Sequence, residues 1–490
     1  MQAVLRTLPL LLGLHAGVLL AKGMGEDEAR HLLNRTGFSP DYRAIQQYAL
    51  LSREEGVDRL LSSVQTRPET EPPAEIVQYT PPSAIKSLSE DAKRDFRRTL
   101  RQQGAQLQDW WLGEMLTTRS PLTERLTLLW HNHFTSSLDK VKEPVLIYKQ
   151  NLLLRQHALG NFGTLLHAVT RDPAMLVYLD NARSKKEQPN ENYAREVMEL
   201  FALGEGHYTE QDIREGARAL TGLTLNPDTG EAIFAPKRHD SGEKTLFGQR
   251  GRYDPDTFID RILQQPATAE YVTRRLWREF VSPSPDEREV QRLAQQFRQD
   301  QLEMKPLLRR MLLSPAFWDP KNRGTLVKSP VELVVGTLRQ FQPHLSGSQA
   351  LVRAAGGMGQ ELFNPPNVKG WPGGNDWINT ATLQARRQFL DQVFRGRDLP
   401  MPAPQMADAP MSKGEMSKGE RQTQVLTRAL SRIDINGQQW LRQFPDSPTG
   451  RQQVQLTLLP LPASGMKDNT EPMNEDWLLQ LVLSPAYQLK

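Results

Sequence analysis

The sequence contains no cysteine. That absence excludes a disulfide framework, a thiolate nucleophile, a cysteine-ligated metal and a lipid-anchored mature N-terminus. Beyond the first two dozen residues there is no apolar run of membrane-spanning length, so the mature chain is expected not to be transmembrane. Charge of one sign is scarce as well. The 61 basic and 57 acidic side chains leave a formal +4 spread along the chain, without a basic patch or a module of interleaved aromatic and basic residues. Nucleic acid is therefore not an expected partner.

What is present is enough apolar material, 38% of 490 residues, for a sizeable core. The first residues carry a separate message. MQAVLR supplies one positive charge, LPLLLGLHAGVLLA a short apolar run, and Ala21-Lys22-Gly23 small residues at the minus-three and minus-one positions for cleavage after Gly23. This is the layout of a secretory signal peptide over 1–23, and it predicts a periplasmic or secreted bacterial protein.

Helical periodicity dominates the rest, as in LTERLTLLWHNHF (122–134), ENYAREVMELFAL (191–203) and TAEYVTRRLWREF (268–280). Thr209 with Asp212 resembles a capping box, and Gly204 a helix stop. LTLNPDTGEAIF (223–234) breaks the pattern with two β-prone runs around a turn, predicting a small hairpin. The expected fold is mainly α: a large multi-helical body over 24–395 with that one β insertion. A disordered linker is expected over 396–424, where three prolines precede the tandem MSKGEMSKGE, and a C-terminal segment, 425–490, is expected to dock on the body.

Four stretches carry candidate chemistry. In WHNH, His131 and His133 are two residues apart. At 100° per residue they point to opposite sides of a continuous helix, so they cannot grip one ion together. His133 falls on the buried face, where the plain reading is a core histidine bonded to backbone, and His131 is exposed or faces another cavity. In PNENYAREVMELFALGEG, Asn192, Glu196 and Glu199 form a polar stripe beside the apolar face, placed to line a cleft or a solvated boundary. In KRHDSGEKTLFG, His239, Asp240 and Lys244 crowd a glycine-punctuated loop. In FNPPNVKGWPGGNDW, Trp371 and Trp377 stand in an irregular loop, as stacking platforms for a sugar ring or as plugs pinning the loop.

Taken in order, RHLLNRTGFSP, WHNHFTSS, TRDPAMLVYLDN, PNENYAREVMELFALGEG, RHDSGEKTLFG, LWREF and FNPPNVKGWPGG resemble a bacterial exported family known as domain of unknown function 1800. The resemblance runs from about residue 29 to 390, and the closing LVLSPAYQ resembles that family's C-terminal end. Asn34 and Ser39 stand where Arg and Gly are commoner. The resemblance implies an exported, mostly helical protein and, as a partner, a second exported family known as domain of unknown function 1501. It brings no activity, cofactor or catalytic residue.

Two functional expectations follow. One is a non-catalytic helical scaffold or binding protein at the cell envelope, with a protein or a glycan as partner. The other is an exported hydrolase acting on an envelope or extracellular polymer. Its catalytic residues would be Glu196, Glu199, His239 and Asp240, with Asn192, Lys244, Trp371 and Trp377 on the substrate. A divalent metal (Zn, Mn or Fe) would sit on His131, His133, Glu196 and His239. The hydrolase requires these side chains to converge in one cleft; dispersal favours the scaffold.

Overall fold

The computed structural model describes residues 23–345, 347–395, 418–433, 435–462 and 472–490. Most of the expected signal peptide, and residues 396–417 of the expected linker, lie outside the described residues. The linker's remaining residues enter the helix Lys418–Leu430. The architecture is mainly α, with 24 α-helices among the described residues and two small two-stranded ribbons. None of the described helices is long and apolar enough to cross a membrane.

The helix Pro121–His133 lies at the centre. Residues 122–131 are buried all round, including Glu124 and Arg125. A helix with buried charges needs each of them answered. The Glu124 carboxylate accepts from Trp111 Nε1 at 2.8 Å, from Arg155 Nε at 3.0 Å and from an Arg155 terminal nitrogen at 2.8 Å. Trp111 belongs to the long helix Glu90–Thr117 and Arg155 to Pro144–Gln156, so one carboxylate ties three helices together. A second tie follows the central helix: Ser136 donates to Gln150, whose amide donates to Asp172 at 2.8 Å. Burial pushes the Asp172 carboxyl up to about 7, while it still caps Pro173–Tyr178 through Met175 N–H at 2.8 Å.

The capping box is present, Thr209 and Asp212 each accepting the other's backbone N–H. The expected hairpin pairs Leu223–Leu225 with Ala232–Phe234, Thr224 opposite Ile233. A further ribbon, not anticipated, pairs Lys244–Leu246 with Gln249–Gly251. Its turn places Phe247 and Gly248 at φ +49° and +74°. A bulky residue at positive φ is costly, and the Phe247 N–H is held by Asp212 Oδ1 at 2.6 Å. Ser39 also has positive φ, +47°, a conformation that glycine adopts at lower cost.

The closing residues are part of the core. Trp440 Nε1 donates to the Gln340 carbonyl at 2.9 Å, the Tyr487 hydroxyl lies 3.0 Å from Thr337 Oγ1, and Lys490 N–H donates to Leu326 at 2.8 Å.

Candidate functional site

Three of the sequence motifs and the helix Pro266–Phe280 meet at the C-terminal end of the central helix. The first contact arises from a local irregularity. After the α-helix Glu191–Glu196 the chain continues as a π-helix, Val197–Ala202, and the Met198 carbonyl accepts from Leu203 and Gly204 at 2.9 and 3.1 Å. Leu200 and Phe201 stand in the last turn of this π-helix, where carbonyls lack intrahelical partners and need donors from elsewhere. Tyr271 hydroxyl donates to the Leu200 carbonyl at 2.7 Å, and His133 Nε2 lies 2.8 Å from the Phe201 carbonyl. A carbonyl only accepts, so His133 carries its proton on Nε2. Burial, then the Arg275 guanidinium, push the imidazolium form down to about 3, so the ring is neutral.

The second contact is the proline- and glycine-rich loop. Asn132 Oδ1 accepts from Trp371 N–H at 2.7 Å. Gly370, at φ +86°, fits against the Asn132 carboxamide and carbonyl where a Cβ would overlap both. Trp371, Trp111 and Phe363 surround His131 with ring centroids 5.3–5.5 Å away. That apolar enclosure depresses the His131 pKa to about 3. On the outer side of the same loop, the ammonium of Lys369 acts on Glu196. The Glu196 carboxyl is nevertheless raised, by burial first and by Glu199 second.

Between this loop and the helix Pro266–Phe280 lies a small cavity of about 90 Å³, lined by Arg125, Asn132, Arg275, Arg278, Glu279, Glu332, Gly373, Gly374, Trp377 and Lys490 among others. Its floor is ionic. Arg125, 2% exposed, pairs with Glu279 and, at 2.5 Å, with Glu332. Lys490 pairs with Glu332 and reaches Glu279 at 3.8 Å. Against its burial, Arg125 and Lys490 hold the Glu332 carboxyl below the usual carboxylate range.

A family model described as protein of unknown function (DUF1800) matches residues 31–489. The chain belongs to the DUF1800 family. No curated protein and no solved structure matches it significantly. The match takes in the closing segment as well as the body.

Within this DUF1800 chain, the structure divides the expected site residues into separate groups. His131, His133, Glu196, Glu199, Trp371 and Trp377 surround the motif junction, on different walls. Glu199 accepts from the Tyr208 hydroxyl at 2.8 Å. Both tryptophans are buried, at 4% and 5% exposure, and wall the loop instead of offering open ring faces. His239 and Asp240 lie between the two ribbons, Lys244 opens the second, and all three engage other partners. His239 Nδ1 donates to Thr221 O at 2.9 Å, and Asp240 accepts from Arg218 at 2.7 Å, which holds its carboxyl below the usual range. The buried Lys244 ammonium donates to the carbonyls of Asp240 and Gly242, at 2.5 and 3.0 Å. Asn192 is exposed at the start of its helix, with its N–H on Asn190.

The structure does not bring the expected metal set together. Among the described residues no three His, Asp or Glu side chains gather as a metal centre requires. His131, His133, Glu196 and His239 have separate surroundings, and the Nε2 of His133 is a donor, not a ligand. Glu199 likewise has a different partner from His239 and Asp240. The sequence reading missed Asn132, Tyr271, Arg275 and Arg278. The one available signal was the arginine density of TRRLWREF, which reads equally as a solvated helix face.

Proposed function

We propose that this DUF1800 chain is an exported helical binding protein of the cell envelope, and that the motif junction forms the wall of a binding cleft. One observation supports the reading above others: the imidazoles in the motifs are spent on architecture. His133 fastens the π-helix, His239 fastens the ribbon, and His131 is sealed by three aromatic rings. A general base needs a pKa near the working pH and a reacting proton within reach. His131 and His133, held near 3, fail the first condition. The partner is a glycan or, as the resemblance implies, a second exported protein of the 1501 family.

The hydrolase reading retains one support, the raised Glu196 carboxyl beside Glu199, a pattern used by general acids. The two readings part in a single experiment on protein recovered from the periplasm. Its N-terminal sequence is expected to begin at Met24, and histidine ¹⁵N spectra are expected to show His131 and His133 neutral from pH 8 to 5. Either ring titrating in that interval refutes the binding reading and returns the junction to catalysis. A chain retained in the cytoplasm with Met1 intact refutes export.

A further inference from the structure

We propose that the cavity between the Gly373-Gly374 loop and the helix Pro266–Phe280 is a receptor for one oxyanion group (phosphate, sulfate or carboxylate), gripped by Arg275 and Arg278 over Arg125. The inference rests on the reading of the chain as a binding protein and names the chemistry of what the cleft takes.

The first argument is charge. Arg125, Arg275, Arg278 and Lys490 line the cavity together with Glu279 and Glu332. Both carboxylates are already bonded to Arg125 and Lys490. The side chains of Arg275 and Arg278 make no hydrogen bond or ion pair among the described residues. The neighbouring Arg274 takes Glu287 at 2.8 Å. Behind the floor, the buried Arg35 bonds backbone carbonyls, Val281 at 2.8 Å among them, and its charge is felt by the same two glutamates. Surplus positive charge beside low-dielectric walls draws an anion.

The second argument is unspent donors. Arg125 is 98% buried, and its Nε–H has no partner among the described residues. Guanidinium forks match the oxygens of phosphate, sulfate and carboxylate in a way that a point charge does not. Arg275 and Arg278 are three residues apart, hence on one face of their helix.

The third is shape. About 90 Å³ admits a group of a few heavy atoms and not a sugar ring or a peptide. At Gly373 and Gly374 a Cβ would meet nothing within 4 Å, so the rim is open where the rest of a larger ligand must leave. The oxyanion is then the buried end of a longer molecule, or a free ion.

The test compares the full mature chain with an Arg275→Gln/Arg278→Gln variant. Both arginines are at least partly exposed and unbonded, so the variant is expected to keep its melting temperature in chloride. Calorimetric titrations at constant ionic strength use inorganic phosphate, inorganic sulfate, acetate and a uronic-acid oligosaccharide as probes. Saturable binding of at least one probe, weakened about tenfold or more in the variant, is the expected result. Preference for phosphate or sulfate marks a free or esterified anion, and preference for the oligosaccharide an acidic glycan. Kosmotropic anions also stabilise proteins without a site, but that effect does not saturate and is equal in the variant. No saturable binding of any probe, or equal binding by both proteins, overturns the assignment. If the histidine spectra meanwhile remain those of neutral rings, only the oxyanion site falls; if His131 or His133 titrates, the binding reading itself falls.

Discussion

The tie between His133 and the π-helix has a thermodynamic signature that a change of pH exposes. In the unfolded chain the imidazole has an ordinary pKa of about 6.5. In the fold, burial lowers it to about 3. A depressed histidine pKa means that the unfolded state binds the proton first, so stability falls as pH drops through 6.5 towards 3. Between pH 7 and pH 5 this single ring should remove about 2 kcal/mol. The whole-protein curve hides the effect. His31 and His131 are depressed to about 3 in the same way, and act in the same direction. Asp172 and Glu143, both raised to about 7 by burial, act oppositely, because the fold binds their protons first as pH falls. Asp172 returns about 2 kcal/mol over that interval, and Glu143, a third open to water, somewhat less. The informative quantity is therefore the difference between the native chain and His133→Gln, whose amide can still donate to the Phe201 carbonyl but cannot titrate. Urea unfolding followed by tryptophan fluorescence at pH 7, 6 and 5 gives both stabilities. The native chain's lead over the variant should shrink by about 2 kcal/mol from pH 7 to pH 5. A difference constant to within about 0.5 kcal/mol would show that His133 titrates alike in both states, and the buried hydrogen bond to Phe201 would have to be abandoned.

Two further substitutions probe the same architecture. Gly370→Ala places a methyl group against the Asn132 carboxamide at φ +86°, and should cost about 2–4 kcal/mol with a red shift as Trp371 leaves its enclosure; an unshifted spectrum would mean the loop is not seated there. Glu124→Gln leaves the fully buried Arg155 charge without its counter-ion and should cost about 3–5 kcal/mol in urea unfolding, whereas a loss below about 1 kcal/mol would contradict a dry ion pair at the core.

Much of the fold is legible because it follows local rules. Apolar spacing gave the helices, Asn-Pro-Asp-Thr-Gly the first hairpin, and Thr209 with Asp212 the capping box. The second ribbon is illegible for an equally local reason: its turn uses Phe247 where asparagine or glycine is the usual signal, and the cost is met by Asp212, thirty-five residues away. The full burial of the central helix is hidden by Thr123, Glu124 and Arg125, which read as a solvated face until Arg155 and Glu279 are seen to answer them. The divergence of His131 and His133 could be worked out from helix geometry alone. Their destinations could not, since an aromatic enclosure built from Trp111, Phe363 and Trp371 is a fact of tertiary packing.

The π-helix explains why a motif rich in chemically able residues can be structural. VMELFA reads as ordinary amphipathic helix, and nothing in its composition announces the extra residue per turn. The Leu200 and Phe201 carbonyls fall in its last turn, where no intrahelical donor follows, and each would cost about 1–3 kcal/mol if left unbonded. Tyr271 answers one and His133 the other, from two different helices. The ending of this helix thus obliges both helices to hold one position. Tyr271 shares its helix with Arg275 and Arg278, one turn and two turns further on, and His133 is next to Asn132, which pins the opposite rim. Positions that look catalytic in the sequence therefore set the spacing of the cavity walls, while the proposed oxyanion would be met by arginines that the sequence offers as an ordinary charged face.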